Sequence, residues 1–188
     1  MLNAIVVTMA LAQTRPAFDL EKWNQERVTT SRVGMVVLGT WAVGNMAVGA
    51  IGFGLERDER IRSIHLGNLL WNTVNLGIAA IALIVQRDFD PKAFDAKDSL
   101  IGSQRMQTIF FINAALDAAY LATAAFLWQR GDATGDARFV GYGQSLLIQG
   151  AFLAVFDLTM ALLNLRLTNR LTEQLSVTLM PGAVSATF

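Results

Sequence analysis

Between residues 33 and 165 the chain passes through four apolar blocks, at 33–55, 64–86, 106–128 and 144–165, and nearly all of its charged residues fall outside them. A helix of about 20 mostly apolar residues crosses the hydrocarbon core of a bilayer. Within that core only helices and closed barrels satisfy their own backbone groups. Four such blocks in 188 residues predict an all-α fold, a transmembrane four-helix bundle. Composition agrees: 53% of residues are hydrophobic and 16% charged, against about 25% charged in a typical soluble domain. The expected partner is the lipid bilayer. A net charge of zero gives no reason to expect nucleic acid. The chain has no cysteine, so disulfides, a thiol nucleophile, zinc–thiolate sites and iron–sulfur clusters are excluded.

The blocks are not uniformly apolar, and their polar residues are spaced as on helix faces. In Ile109–Trp128 (IFFINAALDAAYLATAAFLW) the one acidic or basic side chain is Asp117. A carboxyl at that depth is costly and is a functional-site hypothesis by default. Asn113 and Tyr120, at i−4 and i+3, share its face. In the second block His65, Asn68, Asn72 and Asn75 recur at three, four and three residues, which lines one face over three turns. Amides on such a face need partners away from water. The fourth block carries Gln149, Asp157 and Asn164 on roughly one side. The first contains Ala42, Asn45, Gly49 and Gly52 at three, four and three, a small-residue face that invites close helix packing, either within the chain or with a second copy or another subunit. The spacing thus predicts a polar intramembrane core. Asp117 and Asp157 should lie at similar depth on neighbouring antiparallel helices, where two carboxyls can share a proton and titrate as a pair.

The flanks divide the rest. Met1–Gln13 ends in Ala10-Leu11-Ala12 and reads as a short secretory signal without a positive n-region, the alternative being an uncleaved N-terminal segment. Residues 14–32 read as an amphipathic lead-in to the four-span domain at 33–170. A surface helix with Trp23 at headgroup level and Arg27 and Arg32 near phosphates is the less favoured alternative. Glu56–Ser63 is a charged turn. Pro91 breaks any helix between Arg87 and Arg105, where Phe89 and Phe94 suggest an interfacial segment. The glycines and aspartates of Gly131–Gly143 read as a turn, and 171–188 as an amphipathic or irregular tail in which Pro181-Gly182 ends any helix. Lys and Arg number ten on the side of the termini and five on the other. The positive-inside rule then puts the termini in the cytoplasm, whereas a cleaved signal puts them outside. The two exclude each other, and the reading favours termini outside.

The stretches Gly34–Asn45 (GMVVLGTWAVGN), His65–Asn75 (HLGNLLWNTVN), Asn113–Tyr120 (NAALDAAY) and Gly141–Asp157 (GYGQSLLIQGAFLAVFD) each set amides or carboxyls in a frame of glycines and aromatics. The assembled pattern resembles an uncharacterised bacterial family of four-span membrane proteins, a domain of unknown function. The resemblance covers most of the chain between residues 24 and 160. It implies the architecture, a multi-pass protein of the bacterial inner membrane and the importance of these polar positions, and it implies no chemistry.

Several chemistries are excluded by the residues themselves. His65 is the single histidine, so bis-histidine haem within one chain cannot form. No apolar block contains a glutamate, which removes a di-metal carboxylate bundle. There is no G-x-S-x-G elbow beside the histidine, which is read as a structural hydrogen-bonder. Gly141-Tyr142-Gly143 lacks the strand and lysine of a phosphate loop and is read as part of the turn before the fourth span. No cofactor and no metal site is expected, and the reading leans against an enzyme. The favoured function is an accessory or structural four-helix membrane subunit. The alternative is a small-solute or proton-handling protein whose polar core is built around Asp117 and Asp157.

Overall fold

A computed structural model describes residues 18–179. The expected signal segment Met1–Gln13 and the Pro181-Gly182 stop lie outside these residues. The described chain forms α1 (Leu20–Leu55), α2 (Glu59–Val85), a single 3-10 turn (Pro91–Ala93), α3 (Ala96–Thr134) and α4 (Ala137–Leu179). All four helices are long and apolar enough to cross a membrane, so this is an integral, multi-pass membrane fold.

Short aspartate caps start the helices. The carboxylates of Asp19, Asp58 and Asp95 accept from the backbone N–H groups of Lys22, Ile61 and Asp98 at the starts of α1, α2 and α3. Each satisfies one of the orphan donors of a first turn. The link between α1 and α2 is only a few residues long. In it the backbone N–H groups of Asp58 and Arg57 hold the exposed Glu56 carboxyl below the usual carboxylate range.

The helices outrun the apolar blocks. They contain 36, 27, 39 and 43 residues, whereas about 20 cover the hydrocarbon core. The lead-in from Leu20 to Arg32 is therefore the beginning of α1 itself, and the start of the expected tail at 171 is still helix as far as Leu179. These extensions make a second, smaller core at the termini end. Trp23, Leu167 and Leu171 are buried there, packed with Phe18, Leu20, Leu100 and Leu175. Trp23 is 1% exposed and its indole N–H donates to the Leu167 carbonyl at 3.1 Å. It is an interior residue of this collar, packed against protein. Arg27 lies over the rings of Trp23 and Phe89 at 5.8 and 5.5 Å, and Arg32 donates to the Gln86 carbonyl. Phe89 and Phe94 stack on each other at 5.2 Å. Asn24 completes the collar, donating to the Pro91 carbonyl at 3.2 Å and accepting from Ser99 at 3.0 Å.

The turn expected over Gly131–Gly143 shrinks to Gly135 and Asp136. Gly135 closes α3 in the left-handed conformation, φ 68°, which glycine adopts at no steric cost. Asp136 then accepts from the N–H groups of Arg138 and Phe139 to start α4. Gly131, Gly141 and Gly143 are helical. A Cβ on Gly143 would stand 2.7 Å from the Trp128 backbone nitrogen, and one on Gly141 2.3 Å from the Arg60 carbonyl oxygen. These glycines serve close helix approach, and the Gly141-Tyr142-Gly143 run is inside α4.

α1 packs on α2, α3 packs on α4, and α2 and α4 form the central pair. Among the described residues no Cα of α2 lies within 8 Å of a Cα of α3. The membrane-level core, Met35, Leu38, Ala79, Phe110, Leu153, Phe156, Met160 and Ala161, sits where α1, α2, α3 and α4 converge.

Candidate functional site: a carboxyl pair beside an amide hub

The polar positions separate into clusters at different depths along α4. Nearest the α1–α2 turn is a hub on Gln149, whose side chain is fully buried. Its amide oxygen accepts from the Trp41 indole N–H at 2.9 Å. Its amide nitrogen donates to the side-chain oxygens of Asn68 and Asn45 at 3.0 and 3.3 Å. Ser145 adds a second donor to Asn68 at 2.8 Å. Asn45 and Asn72 each donate to a carbonyl one turn back on their own helix, Trp41 at 2.9 Å and Asn68 at 2.8 Å. The hub thus joins α1, α2 and α4 with its amides satisfied, and the Trp41 ring stacks on Phe152 at 4.0 Å.

Two turns further along α4 lies Asp157. It faces Asp117 of α3, and the Asn113 amide stands beside it. Asp117 is 2% and Asp157 5% exposed. Asp117 Oδ2 is wholly buried and receives no hydrogen bond from any N–H or O–H of the described residues; what its carboxyl meets is the other carboxyl. Both line a cavity of about 180 Å³ with Asn75, Asn113, Trp71, Tyr120, Phe110 and Phe156 among its walls. Trp71 and Tyr120 meet edge to face at 4.9 Å. The Trp71 indole N–H is buried with no acceptor. Asn75 connects the clusters: it lines the cavity and donates to the Asn72 side chain at 3.4 Å. Two ionised carboxylates face to face repel, and the protonation of one depends on that of the other.

The remaining predicted positions stand apart. Asn164 donates to the Met160 carbonyl at 2.8 Å, and its own carbonyl accepts from Thr168, whose hydroxyl meets Ser103 at 2.7 Å. It belongs to neither the hub nor the cavity. His65 packs on the first helix: a Cβ on Gly52 would lie 2.4 Å from its ring, and one on Gly49 2.8 Å from its carbonyl oxygen. His65 therefore does not join the aspartates, and its buried Nδ1 has no hydrogen-bond partner among the described residues, which departs from the structural hydrogen-bonder expected of it. The small-residue face of α1 is occupied inside the chain at these two glycines.

Trp71, Ser145, Phe110 and Phe156 were not singled out from sequence. Trp71 lies in the asparagine ladder, one residue before Asn72, and its position there was the available signal. Ser145 sits one turn before Gln149 on the same face of α4. The two phenylalanines carry no signal that separates them from any other apolar span residue. Among the described residues no group of three or more His, Asp or Glu is placed to hold a metal ion.

A family model described as a family of unknown function (DUF6992) matches residues 37–158. That stretch contains the hub, the ladder and both aspartates. No curated protein and no solved structure matches the chain.

Proposed function

The chain belongs to the family of unknown function whose model covers residues 37–158, and from that premise we propose that it is a membrane protein that holds a proton or a small cation at the Asp117–Asp157 pair. The observation that carries this is the contrast within one core: the amides of the hub bond one another, but two buried carboxyls meet beside a cavity with no N–H donor on Asp117 Oδ2. Burial of such a group without a partner costs a few kcal/mol, and a chain needing only register could use amides throughout, as it does around Gln149. The competing reading is an accessory or structural subunit, and the bonded hub supports it. In that case the carboxyls are scaffolding, and a second copy or another subunit would pack on the open side of α1 at Gly44 and Gly54, where an added Cβ would meet open space. A bacterial inner-membrane location follows from the family resemblance.

Infrared spectroscopy of the protein in lipid nanodiscs tests the proposal. A protonated-carboxyl C=O stretch is expected in the wild type, sensitive to deuterium exchange and to pH, and lost in both Asp117→Asn and Asp157→Asn while helix content is kept. Absence at neutral pH of a protonated-carboxyl band that depends on these two residues, with no added cation affecting the carboxylate bands, overturns it.

A further inference from the structure

The cavity that holds the two carboxyls is not sealed inside the bundle. Its walls come from all four helices, yet α2 and α3 do not approach each other. Three of its lining residues sit on the facing edges of these two helices. Val74 and Ile78 of α2 are 61% and 52% exposed, and Leu116 of α3 is 46% exposed. In a bilayer such side chains face lipid. The cavity therefore has a lateral mouth framed by aliphatic groups, an aromatic wall behind it and two carboxyls at its floor. The aromatic wall consists of two ring pairs, Phe110 with Phe156 at 6.4 Å and Trp71 with Tyr120 at 4.9 Å. No lysine, arginine or histidine lines it.

This succession of surfaces selects by chemistry. An anion is repelled at the floor. An inorganic cation would have to pass the aliphatic mouth without its hydration shell. An uncharged apolar molecule suits the mouth and wall but leaves the carboxyls unmet, at the cost of a buried polar group without a partner. An organic ammonium on an apolar body satisfies all three: the charge pairs with the carboxyls, the ring faces attract it, and the body fills the mouth. We propose that the lateral cavity between α2 and α3 binds a lipophilic organic ammonium that enters from the bilayer and takes the place of the proton on the Asp117–Asp157 pair. This rests on the proton-or-cation reading of that pair and names its ligand class.

Competition with protons follows. The titratable groups facing the site are Asp117 and Tyr120 from α3 and Asp157 from α4. α2 contributes Trp71, Val74, Asn75 and Ile78, and α1 contributes Met35 and Leu38, none of which titrates. Cation binding should therefore weaken as pH falls, with a proton released for each cation bound.

The test is calorimetric titration of the full chain in phosphatidylcholine nanodiscs with benzyltrimethylammonium and with its uncharged isostere neopentylbenzene. Saturable binding is expected for the cation alone. It should weaken by about tenfold or more in the Asp117→Asn/Asp157→Asn double variant, equivalent to about 1.4 kcal/mol. It should also weaken on acidification and in Leu116→Trp, which fills the mouth. Equal saturable binding of both probes overturns the proposal, as does cation binding unchanged in the double variant or in Leu116→Trp. If the wild type binds no cation but still shows the protonated-carboxyl band, the ligand assignment fails and the proton site stands. If band and binding are both absent, both readings fail.

Discussion

Gln149 and Asp157 stand two turns apart on α4, and both are buried in its apolar stretch. Around Gln149, three helices contribute an indole, two asparagines and a serine, and the donors and acceptors find one another at 2.8–3.3 Å. Around Asp157 the same three kinds of helix face contribute a second carboxyl, an asparagine and an indole, and there the Asp117 oxygen and the Trp71 N–H are left without protein partners beside open space. The difference lies in what the partner side chains can donate. Amides are donor and acceptor at once and can close a cluster among themselves. Carboxyls that face each other cannot close without something brought in from outside. Unmet atoms alone do not mark the site, since Arg27 Nε, His65 Nδ1 and Gln86 Oε1 are also buried without partners among the described residues; what sets the Asp117–Asp157 cluster apart is that two carboxyls meet beside a cavity.

Substitutions can break this comparison. The largest effect is expected at Gln149→Leu, which orphans the Trp41 N–H and the Asn45 oxygen and removes one of the two donors to the Asn68 oxygen. Orphaned buried groups cost about 1 kcal/mol or more each, so a loss of about 2–3 kcal/mol is expected in a steric-trapping measurement of unfolding in bilayer. A stability equal to the wild type would remove the distinction between hub and site. Asn75→Leu, at the junction of the two clusters, comes next. It should cost about 1 kcal/mol and also shift the pH at which the carboxyl band titrates, because the residue borders both. An effect on stability alone would assign Asn75 to the hub.

Smaller effects sharpen the comparison. Ser145→Ala removes one of two donors to the Asn68 oxygen while Gln149 keeps the other. A loss of about 0.6 kcal/mol is expected, the average for a side-chain bond in a bilayer. Asp157→Asn should change stability least, by less than about 0.6 kcal/mol, since an amide can donate to Asp117 where a carboxylate cannot. The same variant should abolish the carboxyl titration. A large loss of stability from Asp157→Asn would make the pair a structural element like the hub.

Much of the architecture was legible because it depends on one-dimensional signals. Apolar length gave the four spans, and the four-three spacing of Asn68, Asn72 and Asn75 set them on one face, where all three are buried. The spacing could not say which helix each residue would meet. Asn68 faces Gln149 while Asn75 borders the carboxyls, because α2 crosses from one neighbour's polar group to the next as it descends. Helix ends were misjudged for a different reason. Apolarity stops at the hydrocarbon boundary, but hydrogen bonding does not, so α1, α3 and α4 continue into water under the cover of their own second core. The glycines of 131–143 misled because the residue marks two opposite things, a reversal of the chain and a helix pressed against its neighbour, and only Gly135 is the former. The lateral mouth had no sequence signal, since the distance between two helices is set by their partners.

The collar at the termini end has a mechanical consequence. It draws its buried side chains from α1, α3 and α4, which it clamps together, and takes none from α2. α2 is also the shortest helix, at 27 residues, and exceeds the hydrocarbon core by the least. A thinner or thicker bilayer is met by tilt or local deformation. Three helices resist that load jointly, while α2 is held at that end only where Gln86 bonds Arg32 and Ser31 of α1, and along its seams with α1 and α4. Bilayer thickness therefore acts on the gap between α2 and α3 before it acts on any other spacing in the molecule.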